Sequence, residues 1–130
     1  TDAGTMRDLD RLAGLFTEDA AWRIPSAGIE LSTRDGIRTN LERMQQVWEF
    51  FVQNTHTGAV QVDGDTATGR VFAEEIGRMR DGSSHRNRAV FHATYRRTAD
   101  GCKFSERVDE IVYIDTSALT GTASPRNITV

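Results

Sequence analysis

The chain has 130 residues and a mass of 14.5 kDa, with 38% hydrophobic residues, 27% charged residues and a formal net charge of -3 at pH 7. That length suits one domain with a real hydrophobic core, and the slight acidity leaves no basic footprint for nucleic acid or an anionic membrane. No apolar run approaches the roughly 20 residues of a membrane span. Cys102 is the one cysteine, which excludes an intrachain disulfide and makes a reducing, cytoplasmic compartment the expectation.

The chain opens on "TDAGTMRD", with no signal-peptide pattern and no methionine at the start, which leaves open whether further residues precede Thr1. In "DLDRLAGLFTEDA", Leu9, Leu12, Leu15 and Phe16 recur at helical spacing, and Asp8 suits a helix N-terminus. "AAWRIP" reads as a short strand stopped by Pro25, and "SAGIELSTRDG" as a loop with a few extended residues at 29–31. Thr33 or Asp35 can cap the next helix. There Ile37, Leu41, Met44, Trp48 and Phe51 recur at three and four residues, which predicts a long helix over residues 35–52.

From His56 onward the period becomes two. "HTGAVQV" alternates, Asp63-Gly64-Asp65 supplies a hairpin turn, and "TATGRVFAEEIGRMR" is a long strand ending at "DGSS". "RNRAVFHATYRR" follows as a third strand, "TADG" as a third turn and "CKFSERVDEIVYID" as a fourth strand. Residues 116–130, rich in Ser, Thr and Gly, read as a loosely held tail. Helices followed by an antiparallel meander predict an α+β fold, a strongly curved antiparallel sheet wrapped around N-terminal helices. Gly69 and Gly77 let the sheet bend, and a bent sheet makes a cone with a cavity.

Alternation places His56 on one face with Gly58, Val60 and Val62. On the next strand Ala67, Gly69, Val71, Ala73, Glu75 and Gly77 form a set of small, mostly apolar residues, and on the third strand Asn87, Ala89, Phe91, Ala93 and Tyr95 form another. Small side chains on a core face leave volume, the usual form of a small-molecule pocket. Two readings of His56 stand side by side: an acid/base group in that pocket, or a hydrogen-bonded core histidine. A buried Glu75 is costly unless paired or functional, although a slip of parity near the glycines would turn Glu74 inward instead.

Taken together, "DLDRLAGLFTEDAAWRIP", the "DGI" helix entry, "THTGAVQVDGDTATGR" and "YRRTADGCKF" resemble the SnoaL-like proteins of the NTF2-like superfamily, relatives of scytalone dehydratase, ketosteroid isomerase and polyketide cyclases. The resemblance covers residues 5–115. It implies a cone fold, a frequent homodimer, no metal or organic cofactor, and proton-transfer chemistry of the lyase or isomerase type on a cyclic, largely apolar metabolite. It also implies His56 and Glu75 as catalytic groups and Trp22 as a pocket-lining aromatic, beside Val60, Val71, Ala73, Phe91 and Tyr95 from alternation. The chain departs from the family where dehydratases carry a Tyr-Asp pair, since Gly4 and Thr5 stand there. It departs again at Ile24, Ala93 and Cys102, where relatives keep aspartate, an acid and an aromatic.

His56, His85, His92 and Cys102 lack zinc-ligand spacing. Arg78, Arg80, Arg86 and Arg88 flank the "DGSSH" hairpin, as a solvated hairpin or an anion site. Arg70, Phe72 and Ile76 on the outer sheet face suit a homodimer interface. Two functions follow: a cofactor-free lyase or isomerase, or a non-catalytic protein that binds a small metabolite or serves as a partner subunit.

Overall fold

In the computed structural model, which describes residues 1–125, the Asp8 carboxylate accepts the Arg11 N–H at 3.1 Å and so starts a helix. That helix, α2 (Leu9–Ala13), follows the short α1 (Asp2–Thr5) and is shorter than its sequence pattern, because Phe16 already begins strand β1 (Phe16–Ile24). Tertiary packing decides this. Phe16, Ala20 and Trp22 are buried against Ile37 and Leu41 of the next helix, which a longer α2 would not allow.

Pro25 ends β1 in a turn of 3-10 helix, and β2 (Ile29–Ser32) returns antiparallel with Trp22 opposite Leu31. The Thr33 hydroxyl accepts the Gly36 N–H at 3.2 Å and caps α3 (Arg34–Val47). The helix predicted to run to residue 52 therefore stops earlier. Residues 48–52 are Trp-Glu-Phe-Phe-Val, aromatic and β-branched apart from Glu49, and they open β3 (Trp48–Asp63) by pairing with Ile76, Gly77, Arg78 and Met79. Spacing of three and four carried the helix reading, and β-propensity with long-range pairing overrode it.

Tight turns then deliver β4 (Thr66–Met79), β5 (Ser84–Thr98) and β6 (Gly101–Asp115). Gly64 and Gly82 take φ of +58° and +90° at the first two turns, a conformation that costs other residues more. The six strands form one sheet in the order β2-β1-β6-β5-β4-β3. It is not antiparallel throughout: β1 runs parallel to β6, with Trp22 opposite Arg107.

The sheet bends at register shifts, and the shift between Thr57 and Val60 has the largest consequence. Gly58 is needed there, because a Cβ on it would stand 2.7 Å from a ring carbon of Phe72. The expected loose tail is corrected in part. Leu119 is buried, its N–H donates to Ser84 Oγ at 3.3 Å, and its carbonyl accepts Arg78 Nη1 at 2.6 Å. Residues 126–130 of that expected tail lie outside the described residues. Among the described residues no helix is long and apolar enough to cross a membrane.

Candidate functional site

Paired residues on neighbouring strands share a face. Glu75 pairs with Gln53 and Asn87, Ala73 with Thr55 and Ala89, Val71 with Thr57 and Phe91, and Gly69 with Val60 and Ala93. Farther along, Phe91 pairs with Asp109 and Ala93 with Arg107, which lies beside Trp22. This is the concave face covered by the helices. All six residues expected to line a pocket, Trp22, Val60, Val71, Ala73, Phe91 and Tyr95, lie on it.

His56 does not. It pairs with Phe72 and is exposed on the outer face, while Glu75 lies on the inner one. The bulge at Gly58 and Ala59 explains the error. Val60 and Val62 do face inward, opposite Gly69 and Ala67, but the inserted residue resets the parity, so counting back from them puts His56 on the wrong face. The expected contact between His56 and Glu75 is therefore absent. Glu75, by contrast, is the inward carboxylate, and Glu74 faces outward with Arg88 Nε 3.4 Å away.

Two polar clusters occupy the inner face. At one end Glu75 Oε1 accepts Gln53 Nε2 and Glu75 Oε2 accepts Asn87 Nδ2, both at 2.7 Å. His85, on the same side of β5 and opposite Gly77, sets its ring against Trp48, with centroids 4.9 Å apart and planes at 83°. Gly77 makes room for this arrangement, since a Cβ there would meet the Trp48 ring at 2.7 Å. Burial holds the His85 imidazole below its ordinary 6.5, with the Glu75 charge pulling partly upward, so at neutral pH the ring is uncharged.

About four residues along the strands, roughly 13 Å away at 3.3 Å per residue, lies the second cluster. Asp109 is 3% exposed and accepts Trp22 Nε1 at 2.9 Å, Arg107 Nε at 2.7 Å and Arg107 Nη2 at 2.8 Å. The Arg107 guanidinium also lies 3.6 Å from the Phe91 ring centroid and 4.6 Å from that of Trp22. Burial holds the Tyr95 phenol above its ordinary 10.0, with Arg107 pulling it down. Ala73, Ala89 and Ala93 form the floor near and between these clusters.

Gln53, His85, Arg107 and Asp109 were missed as site residues, and Asn87 was placed on the inner face without a role. For His85 a signal existed: the inward series Asn87, Ala89, Phe91 extends back by one step to reach it. For "ERVDEI" no signal existed, because both alternate sets mix charged and apolar residues. The hairpin arginines are engaged, Arg78 with Glu49 at 2.5 Å, Arg80 with the Gln46 carbonyl at 3.0 Å, Arg86 with Asp115 at 3.4 Å and Arg88 with Glu74. His92 meets Glu110 at 2.7 Å on the outer face. Among the described residues no group of three or more His, Cys, Asp or Glu side chains is arranged to hold a metal ion.

The His85 environment has a consequence for stability. Its folded-state pKa lies below the unfolded 6.5, so the folded protein binds fewer protons there. The contribution is present above pH 6.5 and is lost as pH falls through the folded value. Asp19, Glu49 and Asp115, lowered by Arg96, Arg78 and Ser117, lose theirs only below the ordinary carboxylate values of 3.8 to 4.5. Urea unfolding across pH should show a decline between pH 6.5 and 4.5 that His85→Phe flattens, with the steeper acid loss kept. An unchanged slope in the variant would contradict the assignment.

Comparison with known proteins agrees with this architecture. The sequence matches the SnoaL-like domain over residues 2–108. No curated protein matches it significantly. Among solved structures, the LinA-type3 hexachlorocyclohexane dehydrochlorinase of Novosphingobium barchaimii superposes with a TM-score of 0.78 at 22% identity, covering 96% of this chain and 86% of that one. A protein proposed to be a scytalone dehydratase from Novosphingobium aromaticivorans gives 0.79 at 18% identity, covering 98% and 86%. A Kribbella flavida protein, Kfla4162, gives 0.79 at 16% identity, covering 88% and 84%. At these identities the likeness is one of fold. The family match spans most of the chain, from the helices that cover the inner face to Arg107 on β6, and on that match the protein belongs to the SnoaL-like domain family.

Proposed function

We propose that the inner face is a small-molecule site and that the protein is a cofactor-free lyase or isomerase acting on a cyclic, largely apolar metabolite. One observation carries this reading: an alanine floor lies beside a carboxylate fixed by two amide donors and an uncharged imidazole. Small side chains leave room for a ring, and a fixed acid/base set supplies proton transfer, which contributes roughly 10²–10⁴-fold to such reactions. Dehydrochlorination and dehydration, named for two of the similar structures, are eliminations of this chemical kind.

A second reading, a non-catalytic metabolite-binding protein, has its own support. Both oxygens of Glu75 and of Asp109 are already engaged by hydrogen bonds within the protein. Gly4 and Thr5 also stand where related dehydratases keep tyrosine and aspartate.

A library of cyclic hydroxylated and halogenated compounds, screened by thermal shift and then assayed for turnover without added cofactor, separates the readings. A ligand selective for the native state raises the melting temperature. The enzyme reading predicts that at least one hit is converted, and that Glu75→Gln lowers its kcat by about 10²-fold or more while the thermal shift survives. Hits that bind and are never converted would favour the binding protein.

The outer face supports a second proposal, a homodimer. Phe72 is 47% exposed there beside its pairing partner Val90 on β5, and Tyr113, opposite Arg88 at the end of β6, is 60% exposed on the same face. Exposed apolar groups of this size on one sheet face mark an interaction surface. Sedimentation should give twice 14.5 kDa for the parent and 14.5 kDa for Phe72→Glu. A parent that sediments as a monomer would remove the proposal.

A further inference from the structure

The His85 end of the inner face holds an unpaired atom. Asn87 is 6% exposed, and among the described residues its Oδ1 is a buried acceptor with no hydrogen-bond donor. The amide orientation is set by chemistry: Nδ2 must face Glu75 Oε2, since two oxygens at 2.7 Å would repel. Oδ1 therefore points away from Glu75. Leaving a buried acceptor without a donor is costly, so a group that donates to it gains more than an exposed hydrogen bond would give.

The surroundings restrict that group. Glu75 contributes a negative charge, its two oxygens already engaged by Gln53 and Asn87. His85 is uncharged at neutral pH, and its ring nitrogens make no hydrogen bond among the described residues. The Arg107 guanidinium on this face is committed to Asp109 in two hydrogen bonds, and the Arg7 guanidinium to the Trp48 and Glu49 carbonyls. An anion would thus meet the Glu75 carboxylate, with both of these guanidinium groups engaged elsewhere. The walls are aromatic: Trp48 and Phe51 flank His85 with ring centroids 4.9 Å and 6.5 Å from it. Flat rings stack or meet edge to face in such a slot.

We propose that Asn87, His85 and Glu75 form a subsite selective for a neutral ring-borne hydroxyl, with the ligand O–H donating to Asn87 Oδ1 and its ring lying against Trp48 and Phe51. The inference rests on the small-molecule reading of the inner face and names the substrate class that this face accepts. Glu75 orients the Asn87 amide and rejects anions. His85, with a free ring nitrogen beside the hydroxyl, either donates to the ligand oxygen or accepts from a second donor. The subsite thereby sets specificity by charge as well as shape: it takes a phenol and refuses a benzoate.

The test uses three probes of one shape, 4-ethylphenol, 4-ethylanisole and 4-ethylbenzoate, titrated into the full chain and followed by NMR of the Asn87 side-chain amide and the His85 ring. The proposal predicts that 4-ethylphenol shifts both signals and binds about tenfold more tightly than 4-ethylanisole, the ratio expected for losing one hydrogen bond to a buried acceptor. It predicts that 4-ethylbenzoate is the weakest of the three. Asn87→Ala should erase the preference for phenol over anisole while leaving anisole affinity unchanged; should that variant fold poorly, the parent's preference and the Asn87 amide shift decide alone. Equal binding of phenol and anisole, or binding elsewhere on the inner face without shifts at Asn87 and His85, overturns the subsite and leaves the pocket standing. Tightest binding by the benzoate overturns it as well. Failure of all three to bind the inner face removes both the subsite and the small-molecule reading beneath it.

Discussion

The buried pair of Arg107 and Asp109 fixes the rest of the architecture. It lies on β6, the strand that joins the antiparallel meander to the β1–β2 hairpin through the sheet's parallel contact. Removing two charges from water costs several kcal/mol per ion, and only excellent geometry offsets that. Here the guanidinium meets the carboxylate through two nitrogens, lies over the rings of Phe91 and Trp22, and the Trp22 indole N–H donates to the same carboxylate. The indole bond ties β1 to β6 across 87 residues of sequence. It specifies which register β1 adopts, because a shift by one residue would turn Trp22 to the other face.

That commitment divides the inner face. Asp109 accepts three hydrogen bonds and faces a cation, so it is a structural carboxylate. Glu75 accepts from two neutral amides and stands near an uncharged imidazole, with no cation among its hydrogen-bond partners. Groups whose charge is not neutralised locally respond most to a ligand. On the proposed reading, chemistry and recognition concentrate at the Glu75 end, while the Arg107 end supplies rigidity and, through Phe91 and Trp22, apolar wall.

Much of the fold was legible because its signals are local. Asp8 and Thr33 cap helices by side-chain acceptors, Pro25 stops a strand, and Gly64 and Gly82 turn hairpins by a backbone conformation that favours glycine. What sequence could not supply is non-local. The parallel pairing of β1 with β6 depends on strands far apart in the chain. The end of α3 at Val47 depends on residues 48–52 finding β4. Of the two expected catalytic groups, Glu75 lies on an unbroken stretch of alternation and faces inward as expected, whereas His56 lies beyond the bulge at Gly58 and faces outward. His85 follows a turn among polar and charged residues, and only the inward series Asn87, Ala89, Phe91, carried back by one step, marks it as facing Trp48.

The division of the two carboxylates is tested most directly by the unfolding free energy, in urea, of Asp109→Leu compared with the Arg107→Met/Asp109→Leu double variant. Removing one partner of a buried pair leaves an uncompensated charge and typically costs about 3–5 kcal/mol, while replacing both by apolar groups of similar volume is often nearly neutral. The account predicts a loss of that size for Asp109→Leu and recovery of most of it in the double variant. A loss below about 1 kcal/mol for Asp109→Leu, the range of ordinary surface substitutions, would contradict it.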